Sequence, residues 1–318
     1  MKSPLIQIIF LLFFCEVGFC EAPARIAAWN VASGRNDAGG TPIPEERIER
    51  LAKIIATKIK PDVLVMSEVW PISSSAAIAE AATKAGFAME AVEIPAQDPE
   101  VVQLITIIKR PGVEVKNVEL IADSNDLVDG DDPEEKTTRK AVLAEVRVDK
   151  LDFYLVGVHL KSKRPSRTID RTPMEMRDRQ CKAIALRVQE LLAVGTEKDV
   201  MIVGDYNMTP EGSQNSGEES DTKNFETLNS NGNLRFISSE SKEKSFIGFY
   251  RGRFQKSKLD GFAIARATEA VYLPKSYREM NHELLEVDEH SFGDKKSPTF
   301  LSDHLPMVAE FDKTKDLD

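Results

Sequence analysis

Val200-Met-Ile-Val-Gly-Asp-Tyr-Asn-Met-Thr-Pro210 begins apolar and closes on Gly204, Asp205 and Asn207. A run of Val, Ile and Met bounded by Gly and Pro predicts a short buried strand. Asp205 and Asn207 stand two residues apart at its C-terminal end, and side chains two apart on a strand share a face. A carboxylate and an amide can then address one small object together: a water, a metal ion or a phosphate. Taken alone, the same residues also describe an Asx turn after a strand, which is a common pattern.

The pattern recurs on both sides of this stretch. Residues 25–31 form a first strand ending at Asn30, and residues 62–67 form a buried strand running into Glu68. Between them, a Gly- and Pro-rich loop (33–44) leads to a helix over 45–58 with Ile48, Leu51, Ile54 and Ile55 on one face. An Ala-rich helix over 74–85, capped by the serines before it and stopped at Gly86, precedes strands at 87–94, 101–109 and 113–121. An acidic loop is expected over 123–136. Strands 141–148 and 153–160 pair through a turn at Asp149-Lys150, and the second reaches His159. A basic loop over 161–171 leads into a long helix over 173–192 with Pro at its first turn. After the quoted strand comes a polar loop over 211–223, then late strands at 259–265 and 305–311. Asp260 opens the first of these, and Asp303-His304 precedes the second. Strands outnumber helices and several neighbours look like hairpins, which favours packed sheets with helices outside, in one domain. A wholly parallel doubly wound sheet fits less well.

The 318 residues are 42% hydrophobic and 30% charged, which supports a soluble body with a substantial core. A net charge of −10 argues against a surface that wraps nucleic acid all round. It leaves room for a local phosphate site, because metal ions offset acidity there. Residues 1–20 read as a cleavable leader: Lys2, an almost wholly apolar stretch over 5–14, then Gly18 and Cys20 before the cut. That stretch is too short to span a bilayer comfortably. Export is therefore expected, with a single domain over 21–318, and Phe19 disfavours a lipidated Cys20. With Cys15 and Cys20 in the leader, Cys181 has no internal disulfide partner. Its place in an amphipathic helical pattern predicts a packing role.

Six strand ends thus carry Asn30, Glu68, His159, Asp205 with Asn207, Asp260, and Asp303 with His304. Loops at strand ends are the usual mounting for chemistry on a rigid scaffold. Carboxylates, imidazoles and amides together suit a hard divalent cation and a phosphate. The fragments Trp-Asn-Val, Ser-Glu-Val, Gly-Val-His-Leu-Lys-Ser, Gly-Asp-Tyr-Asn, Lys-Leu-Asp-Gly-Phe and Ser-Asp-His-Leu-Pro occur in this order. The series resembles the endonuclease/exonuclease/phosphatase superfamily, the deoxyribonuclease I-like group, over nearly all of the mature chain. The resemblance implies an α/β fold, a four-layer α/β sandwich of two mixed β-sheets packed face to face with helices outside. It also implies hydrolysis of phosphate esters by in-line attack of water, with Mg2+ or Mn2+ as cofactor.

Residue by residue, the resemblance makes Glu68 the principal metal ligand. Asn30 would orient a phosphate or ligate the metal through water, and Asp303 would be a second ligand or a water orienter. His304 and Asp260 would form a coupled pair in which the carboxylate fixes the imidazole tautomer. Asp205 would accept a proton from the attacking water and Asn207 would position that water or the phosphate. Whether Asp205 or His304 is the formal base stays open. His159 would donate to a phosphate oxygen or protonate the leaving oxygen, with Glu93 as its carboxylate partner. Arg139, in Thr-Thr-Arg-Lys-Ala, resembles a phosphate-clamping arginine, although Lys140-Ala141 departs from the apolar-Pro pair of many relatives. Lys161 would add a second phosphate contact.

Two basic loops would border such a site. One holds Lys161, Lys163, Arg164 and Arg167; the other is Arg251-Gly-Arg-Phe-Gln-Lys-Ser-Lys258. Cations beside an aromatic suit a nucleic-acid backbone, and an ordinary solvated basic loop is the equal alternative. The leading expectation is an exported, monomeric nuclease or phosphodiesterase without stable membrane insertion. A lipid phosphodiesterase or a phosphatase of small esters comes second, the lipid option lowered by the lack of a long apolar insertion. An inactive binding module on the same scaffold comes third.

Overall fold

The structure is a computed structural model and describes residues 22–33, 35–36, 39–40, 42–95, 104–121, 139–163, 172–195, 197–208, 219–237, 244–250 and 253–315. The expected leader, the acidic loop, and Arg164, Arg167 and Arg251 lie outside the described residues. In chain order the first half holds β1 (Ala24–Asn30), β2 (Arg35–Asn36), β3 (Gly39–Gly40), α1 (Glu45–Ile54), β4 (Val63–Val69), α2 (Ser74–Lys84), β5 (Glu90–Ala91), β6 (Leu104–Lys109), β7 (Glu114–Ile121), β8 (Ala141–Val148) and β9 (Leu151–His159). The second half holds α3 (Pro173–Val194), β10 (Val200–Asp205), α4 (Glu219–Leu228), β11 (Leu234–Phe236), β12 (Phe246–Tyr250), β13 (Arg253–Ser257), β14 (Asp260–Ala265), β15 (Arg278–Glu279), α5 (His282–Leu285) and β16 (Met307–Phe311).

The strands build two six-stranded sheets, ordered β15-β16-β1-β4-β6-β5 and β11-β14-β10-β9-β8-β7. Each sheet is mixed and contains one central parallel pair, β1 with β4 and β9 with β10. Parallel neighbours need a crossover, and α1 and α3 supply the two. Parallel partners also finish side by side. Asn30 pairs with Ser67, next to Glu68, and Asp205 pairs with His159.

Period-2 alternation sorts each strand into two faces. Ile26, Val65 and Ile107 of the first sheet meet Leu155, Val203 and Phe262 of the second in one inter-sheet core. On the outer faces, Leu64 and Met66 pack under Leu51 and Ile78 of α1 and α2, and Val156 and Ile202 under Ile184 and Phe225 of α3 and α4. Four layers result, as the resemblance implied. Each fully buried aliphatic side chain contributes about 1.5–3 kcal/mol of transfer free energy.

Several local expectations change. Ser73 makes no capping bond at α2; Ser74 and Ser75 donate back to the carbonyls of Trp70 and Ile72 instead. The unremarked Thr172 caps α3 in a reciprocal box with Glu175. Residues 87–94 yield only the two-residue edge strand β5. The polar loop expected through 223 becomes α4 from residue 219, anchored by Phe225 and Leu228. Residues 101–103 of the expected strand 101–109 lie outside the described residues. Cys181 is fully buried on the inner face of α3, and burial pushes its thiol up to about 12. In a protein of residues 21–318, Ellman's reagent is therefore expected to leave it unmodified in the native state and to titrate one thiol after unfolding. Fast labelling of folded protein would refute the packing role.

Candidate active site

The stretch 200–208 is buried throughout, and β10 is flanked by β9 and β14. Gly204 has φ +136, and a Cβ there would lie 2.2 Å from the Val158 carbonyl oxygen. Only glycine lets β10 remain against β9 as it delivers Asp205. Asn207, at φ +51, donates its backbone N–H to Asp205 Oδ1 at 2.8 Å. The Asx turn is thus present, and it holds the carboxylate in place. Asn207 Nδ2 donates to the Leu160 carbonyl at 3.0 Å. Asp205 thus faces the cleft, and Asn207 braces the chain just past His159, on the carbonyl that Arg139 also meets.

Glu68 is delivered by a bulge. The register of β4 against β6 shifts between Met66 and Val69, and Glu68 takes φ +56. A left-handed non-glycine residue costs on the order of 1–3 kcal/mol and is held by its surroundings; a bulge re-aims a side chain. Its Oε1 accepts from Asn30 Nδ2 at 3.3 Å and lies 3.6 Å from His159 Nε2. Asn30 Nδ2 also donates to Asp205 Oδ2 at 3.0 Å, while Asn30 Oδ1 accepts from the Ala32 N–H at 2.9 Å. Asn30 thus shows its NH2 group to the carboxylates, an arrangement that orients Glu68 and Asp205. Its oxygen, the atom a metal would need, is turned to its own loop.

His304 Nδ1 bonds Asp260 Oδ2 at 2.8 Å, the pairing expected from sequence, and its Nε2 lies 3.7 Å from Asp205 Oδ2. Burial alone would depress the imidazole pKa, but Asp260 and Asp205 outweigh it and raise it. Burial, with Asp260 beside it, lifts Asp205 above the usual carboxylate range, against the pull of His304, Asn30 and the Asn207 N–H. Backbone anchors fix the pair: Ser245 Oγ accepts from the Asp260 N–H at 3.0 Å, Ser302 Oγ from the His304 N–H at 3.0 Å, and Trp29 Nε1 donates to the His304 carbonyl at 2.9 Å.

His159 departs from its expected part. Burial, then Arg139, His304 and Lys161, push its pKa well below the ordinary value, so the imidazole is neutral. Its Nε2 accepts from Arg139 Nη1 and lies 3.5 Å from Asp205 Oδ2. A neutral ring accepting at Nε2 is not set up as an acid there. Its Nδ1 is buried without a hydrogen-bond partner, so the expected Glu93 contact is not made; Glu93 is exposed beyond β5, in the other sheet. Arg139 reaches the cleft but commits Nη1 to His159 and to the Leu160 carbonyl at 2.7 Å. Lys161 Nζ contacts its neighbour Ser162, and its backbone N–H is held by Gln180 Oε1 of α3 at 2.8 Å.

Asp303 pairs with Lys295 at 3.0 Å. Burial would raise its pKa, but His304 and Lys295 prevail and keep it ionised. Lys258, expected at the site border, instead approaches the buried Glu279 at 4.0 Å. Asp205, Asp260 and His304 offer ligand atoms within 4.8 Å of one another. Asp260 and His304 are already hydrogen-bonded to each other, so this cluster suits proton handling better than a cation. Glu68, partly exposed at the mouth, and the ionised Asp303 are the oxygen donors that a hard cation takes. The chemistry of these donors therefore fits a divalent ion, which Glu68 and Asp303 would hold.

Sequence reading passed over Arg47, Gln180, Ser245 and Ser302. All four are buried polar groups inside otherwise apolar surroundings, and a polar residue on an amphipathic pattern defaults to the solvent face.

The chain matches the Endonuclease/Exonuclease/phosphatase family over residues 27–257 and belongs to it. Its members are metal-dependent hydrolases of phosphate esters, and this protein is one of them. D. rerio TDP2, solved with a single strand DNA product, is 16% identical with a TM-score of 0.59, over 91% of this chain and 98% of that one. The 3' phosphatase NExo from Neisseria, bound to a product DNA hairpin, is 15% identical with a TM-score of 0.60, over 91% and 99%. The mannosyl-6-phosphatase of Bacteroides thetaiotaomicron is 12% identical with a TM-score of 0.58, over 91% and 99%. These three share the fold. No curated protein matches the sequence. No helix among the described residues is long and apolar enough to cross a membrane.

Proposed function

We propose that the protein is an exported phosphodiesterase that cleaves nucleic acid, with Mg2+ or Mn2+ held by Glu68 and Asp303. One observation carries the hydrolytic reading: Asp205 Oδ2 stands 3.0 Å from Asn30 Nδ2, 3.5 Å from His159 Nε2 and 3.7 Å from His304 Nε2. Three side chains, from β1, β9 and the segment before β16, thus meet at one carboxylate oxygen of Asp205. Asp205, raised toward neutrality, takes the proton as the water oxygen attacks phosphorus. His304, kept as an imidazolium by Asp260, steadies the charge gathering on the phosphoryl oxygens. A bound divalent cation would neutralise those oxygens and the leaving alkoxide. Each such placed group is worth on the order of 3 kcal/mol of barrier.

Nucleic acid is favoured by the β12–β13 hairpin. Its root is tied to the dyad: the Ile247 N–H bonds the Asp303 carbonyl at 2.7 Å, and the Phe246 ring meets His304 edge-on at 5.1 Å. From that root it carries the exposed cations Arg253 and Lys256, and cations along a groove track a phosphate backbone. TDP2 and NExo, described with DNA products, are in keeping with this reading.

Residues 21–318 should be assayed with Mg2+ and Mn2+, with EDTA as control, against plasmid DNA, single-stranded RNA, sphingomyelin and bis-p-nitrophenyl phosphate. EDTA-sensitive nicking of plasmid or cleavage of RNA is the expected result. Release of choline phosphate alone, or turnover of the small ester alone, would overturn the nuclease assignment. Export is tested separately, by fusing residues 1–20 to a reporter that works only outside the cytoplasm.

A further inference from the structure

We infer that Arg47 is a positioning residue that ties the two rims of the cleft together and serves as a resident counter-charge behind its metal-binding carboxylates. The counter-charge role rests on the proposed metal site at Glu68 and Asp303; the tie does not.

Arg47 lies on the buried face of α1, only 7% exposed, beside Leu51 and Ile54. A guanidinium in such a place is costly unless its donors are met. Here backbone carbonyls meet them. Nε donates to Leu301 O at 2.8 Å, Nη1 and Nη2 to Ala32 O at 3.2 Å each, and Nη2 to Val31 O. The Phe300 ring lies 4.8 Å from the guanidinium carbon. These carbonyls belong to two separate segments. Val31 and Ala32 directly follow Asn30, and Leu301 directly precedes Ser302, Asp303 and His304. One planar fork therefore sets the spacing between the rim carrying Asn30 and the rim carrying His304. Ser302 adds a parallel tie, its Oγ donating to the Asn30 carbonyl at 2.5 Å.

The charge has a second consequence. Burial lowers the guanidinium pKa to about 10, while Asp303 and Glu68 pull it upward. Arg47 is thus charged at neutral pH and within electrostatic reach of both carboxylates. Seated on the carbonyls of Leu301 and Ala32, this fixed cation opposes a second cation in front of the carboxylates, which favours a loosely held, exchangeable ion. Position and charge make separable demands: a lysine keeps the charge and loses the fork, and a methionine loses both.

The test is Mn2+ titration by calorimetry, kcat and KM on bis-p-nitrophenyl phosphate, and circular dichroism for folding, on wild type, Arg47→Met, Arg47→Lys and Glu68→Gln. Arg47→Met is expected to bind Mn2+ about threefold to tenfold tighter and to lose about 10- to 100-fold in kcat, with KM unchanged. Arg47→Lys is expected to keep wild-type Mn2+ affinity and to lose about tenfold in kcat. A merely structural part would weaken metal binding and turnover together. Folded Arg47→Met with unchanged or weaker Mn2+ binding overturns the counter-charge. Arg47→Lys with wild-type kcat overturns the tie, and decides it alone if Arg47→Met does not fold. Glu68→Gln is expected to lose Mn2+ binding. Retained binding overturns the metal site and the counter-charge with it, leaving the Arg47→Lys result to judge the tie.

Discussion

Asp205→Asn is expected to fold normally and to lose hydrolysis by about ten-thousandfold, through loss of the proton acceptor together with the charge facing His304. The amide keeps the shape, and its oxygen can still accept from Asn30 Nδ2 or the Asn207 N–H. Stability should not fall. A carboxylate whose folded pKa is raised costs folding energy at every pH above that raised value, where both states are ionised, and the cost disappears as pH drops and the folded carboxyl binds its proton. Burial and Asp260 raise Asp205, so at pH 8 the variant should melt no lower than wild type. The same shift fixes the acid side of the pH–rate profile. Activity should fall as pH drops through a value above the usual carboxylate range, and the residual rate of Asp205→Asn should lack that limb. Steady-state rates from pH 5 to 9 with a melting curve check both. Near-wild-type turnover in folded Asp205→Asn would remove Asp205 from the mechanism.

Gly204→Ala should give the opposite profile, failing in the fold before the chemistry. The methyl group would meet the Val158 carbonyl at 2.2 Å on a backbone at φ +136. Neither flank yields easily, because Val158 and Gly204 are paired within the β9–β10 ladder. We expect a loss of about 4 kcal/mol or more, which for a chain of this size lowers Tm by roughly 10 °C. Calorimetry checks it, and an unchanged Tm would mean the β10 bend is not as tight as described.

Much of this was legible in the sequence, for reasons that differ by residue. The apolar stretch 200–203 and the Gly204 break report local burial and local geometry. Strand, bend and exposed carboxylate could therefore all be read from them. The Asx turn and the site stood as rivals in the sequence, yet the Asp205 Oδ1 bond to Asn207 makes the turn part of the site. The order of six polar strand ends located Asn30, Glu68, His159, Asp205, Asp260 and His304, and the family resemblance gave the Asp260–His304 pair, but not the other partners. Leu160 for Asn207, Arg139 for His159 and the failed pairing with Glu93 depend on which strands lie side by side, and periodicity carries no such information. The basic segment ending at Lys258 was visible as composition, while its pairing into a hairpin rooted at His304 was not. Arg47 was hidden most completely: a charged residue in an amphipathic helix is assigned to water, and only the facing carbonyls show why it is inside.

The pairing of β1 with β16 reaches beyond architecture. His304 enters the chain 275 residues after Trp29, whose indole holds its carbonyl, and β16 is the last strand to be made. Until it slides in beside β1, the cleft lacks the His304 imidazole, Asp303 and one side of the Arg47 fork. A growing chain is therefore expected to be silent, with hydrolytic competence arriving only with its final strand. On that reading the fold acts as its own timer, set by the seating of β16.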